Sequence, residues 1–367
     1  MKSGKIPAAA ALLFFAALIF GADAAREGAK YGLSLAFGTA IPALFPFFVA
    51  SSLLSQTGVL TALGRACARP MWRLYGLPGD AAGALVLGLT GGYPVGAAAV
   101  ADLHRDGRLD TSQASRLLGF CNNTGPAFIV GVCGAGVLGS VTTGLLLYAI
   151  HIAAALLVGL IMTHPGHGPA PVKRSQPRGS VPFSQALVTA CEKAAHTSIQ
   201  VAAFLTLFAV LAALAEQSGL LTGLAQLLAP VCTLTGMPEE AVWPLLYGAL
   251  ELTRGLAVLP EAALDSHFVL PVASALLAFG GLSVWCQSMS VIAGTQLSLA
   301  RLALGKVLHA LFAAALAVLC GAAMPHVVPA FAPLEIQLPT VPVWGRWAVF
   351  VMILLTITYG KHRRHTV

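Results

Sequence analysis

Charge is what this chain has least of. Asp, Glu, Lys and Arg make up 10% of its 367 residues, against about 25% in soluble domains, so an ordinary water-facing surface cannot be built from it. The seven cysteines (67, 121, 133, 191, 232, 286 and 320) contain no C-x-x-C pair. That argues against a zinc site, a redox motif or a disulfide framework, and leaves them as small apolar fillers of helix interfaces. No glycine-rich phosphate loop is present to power a pump, and no Ser/His or paired-Asp constellation lies at matched depth, so an enzyme is not expected. The ten histidines are scattered. His164-Pro-Gly-His167 brings two together, in a Pro/Gly-rich stretch that reads as a plain loop before it reads as a metal site. The net charge of +7 comes without aromatic-interleaved basic patches, so it does not point to nucleic acid.

What is present is apolar. Hydrophobic residues make up 57% of the chain and mean hydropathy is +0.82, which defines an all-α polytopic membrane protein. A spanning helix needs roughly twenty apolar residues, yet four apolar segments here are broken at their centres. The breaks are Thr90-Gly-Gly-Tyr-Pro-Val-Gly96, Phe120-Cys-Asn-Asn-Thr-Gly-Pro126, Glu251-Leu-Thr-Arg-Gly255 and Phe279-Gly-Gly-Leu-Ser-Val-Trp-Cys-Gln287. Interior glycine costs a helix about 1 kcal/mol and interior proline about 3. Non-helical backbone persists at membrane depth only where protein or a wet cavity satisfies its amides.

In chain order, residues 1–30 hold an N-terminal transmembrane helix, whose Lys2, Lys5, apolar run and Ala22-Asp-Ala24 also have the form of a signal peptide. Residues 31–162 form a first repeat: a span from about Tyr31 to Leu54, an amphipathic interfacial helix at 58–77 carrying Arg65, Arg69 and Arg73, a re-entrant hairpin around Gly91-Gly92, a broken span and a plain span, Val141–Met162. A Pro/Gly-rich cytoplasmic linker occupies 163–183. Residues 184–322 repeat the pattern, ending in a plain span from Leu302 to Cys320. An outer loop and a C-terminal helix (Trp347 to Tyr359) fill 323–367.

The halves align at a nearly fixed offset: Gly58 with Gly219, Pro70 with Pro230, Gly76-Leu-Pro78 with Gly236-Met-Pro238, Gly88 with Gly248 and Phe120 with Phe279, all 159 to 161 positions apart. Three crossings per half is odd, so the second repeat must be inverted relative to the first. With both termini cytoplasmic, the inner side receives most basic residues, including Arg65, Arg105, Arg108, Lys193, Arg301 and Lys306. The outer ends of the second half carry Glu216, Glu239, Glu240, Glu261 and Asp265. Inverted repeats with discontinuous helices are the architecture of secondary transporters, and half-helix N-termini favour an anion.

The candidate substrate-binding residues are therefore those at the breaks: Thr90, Gly91, Gly92, Tyr93, Asn122, Asn123, Thr124, Glu251, Thr253, Arg254, Ser283, Gln287 and Ser288. Charges at membrane depth are functional candidates by default. Glu251 and Arg254 admit two readings: an i,i+3 ion pair that only stabilises the hairpin, or Arg254 on a substrate carboxylate with Glu251 coupling to protons or orienting the arginine. Asn122 and Asn123 either line the site or merely close the turn. Cys121, Trp285 and Cys286 read as packing. No cofactor or metal is called for; a coupling proton or sodium ion, the lipid bilayer and oligomer formation are compatible with the pattern.

These four motifs, in order, resemble the nucleoside-recognition (Gate) family in its sporulation integral membrane branch, which is similar to concentrative nucleoside transporters. The likeness covers roughly residues 31–322. It implies movement of dipicolinic acid, a flat pyridine with two carboxylates, across the outer forespore membrane from mother cell toward forespore. A nucleoside carrier would instead need neutral polar contacts and no Arg254, and a Gate-type assembly component would need no transport at all.

Overall fold

The computed structural model describes residues 5–57, 59–166 and 182–323. The expected last helix, His167 and most of the linker lie outside these residues. Among the described residues every regular element is helical. The chain is a polytopic helical membrane protein.

Helices α1 (Lys5–Phe20) and α2 (Ala22–Leu35) meet at Gly21, and α2 runs through a π-helical stretch at Ala36–Ala40 into α3 (Ile41–Gln56). The sequence places the start of this span near Tyr31, but the helix is continuous over the 35 residues Ala22–Gln56. The reason is a glycine stripe that lets it lie on α10 (Phe183–Gln217). A Cβ at Gly28 would come within 2.9 Å of the Ala209 carbonyl oxygen, and one at Gly32 within 2.6 Å of Thr206 Cα. In lipid, such close backbone approach supplies the packing that apolar burial alone does not.

The expected amphipathic helix at 58–77 is two short ones, α4 (Val59–Ala66) and α5 (Ala68–Tyr75), hinged at Cys67. Arg65, Arg69 and Arg73 are exposed while Met71 and Tyr75 are buried. The first hairpin is α6 (Asp80–Gly91) and α7 (Val95–Arg105). At 1.5 Å per residue these arms are about 18 and 16 Å long, well short of the ~30 Å hydrocarbon core. Helix α8 (Thr111–Cys121) starts at Asp110, whose side chain accepts from Gln113 N–H in a full capping box. After residues 122–126 the span resumes as a π-helical stretch, Ala127–Val137, followed by α9 (Val141–Met162).

The second half repeats this order. After α10 come α11 (Leu220–Thr235), a 3-10 turn at Glu239–Ala241, hairpin arms α12 (Val242–Leu250) and α13 (Leu252–Ala257), the broken span α14 (Ser266–Phe279) and α15 (Gly281–Val291), and α16 (Leu299–Ala323). Among the described residues, five helical stretches are long and apolar enough to cross a membrane.

The halves exchange equivalent contacts. The span α3 packs on α10, and the plain span α9 on α16. Hairpin arm α7 meets α15, while its counterpart α13 meets the 127–137 stretch; α3 touches that stretch and α10 touches α15. The same crowding recurs in both halves: a Cβ at Gly88 would overlap the Cys121 carbonyl, and one at Gly281 would sit 2.6 Å from the Gly248 carbonyl. Glycine is required at these crossings because backbone lies directly on backbone. Helix α16 runs between the two main apolar clusters, one holding Ile129, Leu256 and Leu277, the other Leu117, Leu118 and Phe120.

Candidate functional site: a closed cavity where four helix breaks meet

All four breaks come together in the interior. Gly92, with φ of 75°, stacks on Gly125, where an added Cβ would fall 3.1 Å from the Gly125 amide nitrogen. The Tyr93–Pro94 peptide is cis. Tyr93 then projects across the halves until its hydroxyl rests against Gly280, within 2.8 Å of where a Cβ would be. The paired glycines of the fourth break thus make room for the tyrosine of the first.

Tyr93, Thr124, Glu251, Thr253 and Gln287 line one cavity of about 50 Å³, closed in by Ala40, Leu44, Phe128, Val201, Leu205 and Val284. Its walls follow the repeat. Ala40 faces Val201 and Leu44 faces Leu205, each 161 positions apart, while Tyr93 and Thr253, and Thr124 and Val284, are 160 apart. Ligand pockets run to about 300–1,000 Å³, so this cavity is too small as it stands and must widen to hold a solute.

The remaining expected residues hold the breaks rather than line the space. The Asn122 side chain accepts from Ala97 N–H at 3.3 Å and donates to Ser288 Oγ at 2.6 Å. Ser288 in turn donates to the Val284 carbonyl at 2.8 Å. Asn123 Nδ2 donates to the Phe120 carbonyl at 2.9 Å, which closes the end of α8, while its Oδ1 has no partner. Thr90 bonds back to Val86 in its own helix at 2.7 Å. Gly91 is pressed against Ser51, and Ser283 accepts from Gln287 Nε2 at 3.4 Å. Trp285 donates to the Phe279 carbonyl at 2.9 Å, a packing role.

Glu251 and Arg254 do not form the i,i+3 ion pair that is one of the two readings open to them. The Glu251 carboxylate, in a residue 3% exposed, caps α13 by accepting from Thr253 N–H at 3.0 Å and Arg254 N–H at 2.8 Å. The Arg254 guanidinium turns the other way, to Glu216 Oε2 at 2.7 Å, and lies over the Tyr247 ring at 4.3 Å. Two helix N-termini at the breaks already carry a side-chain acceptor: that of α13 has Glu251 and that of α7 has Asn122.

Two larger recesses flank the cavity. One of about 420 Å³ is lined by Arg65, Asp80, Asp102, Arg108 and Lys193 and reaches inward to Pro94 and Val95. The apolar group of Phe48, Ala194 and Val201, with Leu44 and Val95 packed on it, stands between this recess and the cavity. The other recess, of about 900 Å³, is lined by Glu216, Glu239, Glu240, Glu261 and Arg254. The first recess is thus of mixed charge, with Asp106 also in its lining, and the second is dominated by carboxylates.

Three polar residues behind the cavity escaped the sequence reading. Lys306 is not at a cytoplasmic helix end but inside α16, 1% exposed, with Nζ 2.9 Å from Tyr93 Oη and 3.4 Å from the Ala278 carbonyl. His309, one turn further, approaches the His151 carbonyl at 3.0 Å, and the two imidazole rings are 4.4 Å apart. His151 Nε2 accepts from Thr124 N–H at 3.2 Å, which puts its proton on Nδ1, and Nδ1 has no partner. A charged or imidazole side chain within an otherwise apolar run was the available signal.

The architecture is that of a helical membrane protein with broken helices converging on an enclosed site. Residues 37–164 match the Gate family, described as nucleoside recognition. Over 322 residues the chain is 27% identical to the sporulation integral membrane protein YlbJ of Bacillus subtilis (strain 168), covering 83% of this chain and 79% of that protein. The family match includes the first two of the four breaks, at 90–96 and 120–126. No solved structure matches.

Proposed function

We propose that this chain is a secondary carrier for a small anionic aromatic solute, dipicolinic acid during sporulation being the best match, in the outer forespore membrane with both termini cytoplasmic. The observation that carries the reading is the convergence of all four helix breaks on one polar cavity, placed between two recesses and lined by equivalent residues of both halves. Alternating access needs that arrangement: a shared site, two approaches and a closure on each. Solute would pass the Phe48 closure on one side and the Arg254–Glu216 closure on the other.

A nucleoside carrier is the second reading. It is favoured by the neutral character of Tyr93, Thr124, Thr253 and Gln287 at the cavity and by the position of Arg254 outside it. Uptake of labelled dipicolinate and labelled uridine into proteoliposomes, under imposed proton or sodium gradients, decides between them. Saturable dipicolinate uptake that unlabelled uridine does not inhibit is the expected result. Uridine uptake alone would establish the second reading, and uptake of neither would reject both.

A further inference from the structure

We infer that Lys306 is the buried cation that compensates an anionic solute in the cavity, and that it acts through the Tyr93 hydroxyl. The inference rests on the anion-carrier reading above and supplies what that reading lacks. Arg254 is engaged by Glu216 beside further carboxylates, the α7 and α13 termini are already capped, and Glu251 adds negative charge. An anion arriving among these groups meets no free positive charge in the cavity wall.

Lys306 lies directly behind that wall. Its Nζ donates to Tyr93 Oη at 2.9 Å and to the Ala278 carbonyl at 3.4 Å, and stands 4.7 Å from the Tyr93 ring centroid. The titratable groups around it are Tyr93, Cys121, His309 and His151, none of them a carboxylic acid. Among the described residues it makes no ion pair. A buried ammonium with no anion beside it carries a large desolvation cost, and a carboxylate entering the cavity would relieve it. Because Tyr93 Oη accepts from Lys306, its own O–H is left to donate on the side shared with Thr124, and both residues line the cavity, so an entering carboxylate can take that proton in place of Thr124. A hydroxyl polarised by an ammonium is the stronger donor to a carboxylate. The site thereby presents positive charge to an anion without opening the lysine to water. It also distinguishes α16 from its counterpart: the position 160 residues before Lys306 is Leu146.

The test compares uptake of labelled pyridine-2,6-dicarboxylate with that of its neutral 2,6-dicarboxamide in proteoliposomes of wild type, Lys306→Met and Arg254→Gln. Lys306→Met keeps the length of the side chain and removes its charge. With uptake measured at high salt, it is expected to lower the preference for dicarboxylate over dicarboxamide by about tenfold or more, whereas Arg254→Gln, its surface field screened, leaves that preference unchanged. A merely structural lysine would lower uptake of both solutes together, and that outcome overturns the inference. Wild type that takes up no dicarboxylate overturns the anion-carrier reading, and the inference with it. Wild-type uptake with an unaltered Lys306→Met preference overturns the inference alone. Should Lys306→Met fail to fold, Tyr93→Phe removes only the hydroxyl link. Dicarboxylate should then need about tenfold higher concentration to raise the melting temperature of the purified protein; an unchanged concentration dependence counts against the inference.

Discussion

The Asn122 amide donates to the Ser288 hydroxyl at 2.6 Å, tying the broken span of the first half to that of the second across 166 positions of sequence. Both residues are buried: Asn122 Oδ1 takes Ala97 N–H, while the Ser288 proton goes to Val284. Removing Asn122 therefore leaves the Ala97 N–H without this acceptor and Ser288 Oγ with only its bond to Val284. Asn122→Ala should cost about 1–3 kcal/mol and Ser288→Ala about 1 kcal/mol. The double variant should fall short of the sum by about 1 kcal/mol, since the two side chains share one bond. Thermal unfolding of the four proteins in one detergent measures this; strictly additive losses would mean the bond contributes nothing.

Glu251 is expected to act first as a cap. Its two carboxylate oxygens hold the amides of the second and third residues of α13, a helix of six residues that has little else to fix its start. Glu251→Ala should lose about 1–2 kcal/mol and uptake should fall with it. Glu251→Gln keeps an acceptor at nearly the same place, so its loss should be smaller and its uptake nearer to wild type. Uptake under an imposed pH gradient separates this from a proton-coupling role. If Gln abolished gradient-driven accumulation while melting as wild type does, coupling rather than capping would be the function of the carboxylate.

The helix breaks and the repeat were legible in the sequence because glycine, proline and asparagine act locally: each disfavours helix wherever the chain later goes. The span Val141–Met162 follows from equally local chemistry. What could not be read was the direction in which a side chain turns at a break. Glu251 and Arg254 are three residues apart and suit an ion pair on a regular helix. At a helix start, however, the carboxylate is drawn to free amides and the arginine is released to Glu216, 38 positions away. Lys306 was misread for a different reason. The positive-inside rule counts a lysine near the end of an apolar run as interfacial, and only the packing of α16 against α8, α9 and α14 shows that this end is enclosed. The start of the second span was missed because α2 is too polar to read as a membrane helix, and its glycine stripe has meaning only beside α10.

Arg254 leads to a prediction about salt. Its guanidinium is 16% exposed, the Glu216 carboxylate 53%, and the pair stands at the rim of a recess that also holds Glu239, Glu240 and Glu261. A partly exposed pair of this kind contributes about 0–1 kcal/mol to stability, so Arg254→Gln should fold. It leaves four carboxylates in the recess without a cation, and an anion crossing that side would then meet a stronger repulsive field. Fields of this sort act over about 10 Å at 0.1 M ionic strength and fade as salt rises. Dipicolinate transport by Arg254→Gln should therefore fall a few-fold at low salt, about 1 kcal/mol or less, and recover toward wild type at high salt. Glu216→Gln should show the opposite sign at low salt, because it removes a negative charge and frees the guanidinium. A loss near tenfold in Arg254→Gln that salt does not relieve would instead mean that the guanidinium touches the solute. The Arg254 side chain would then have to leave Glu216 and swing into the cavity during transport.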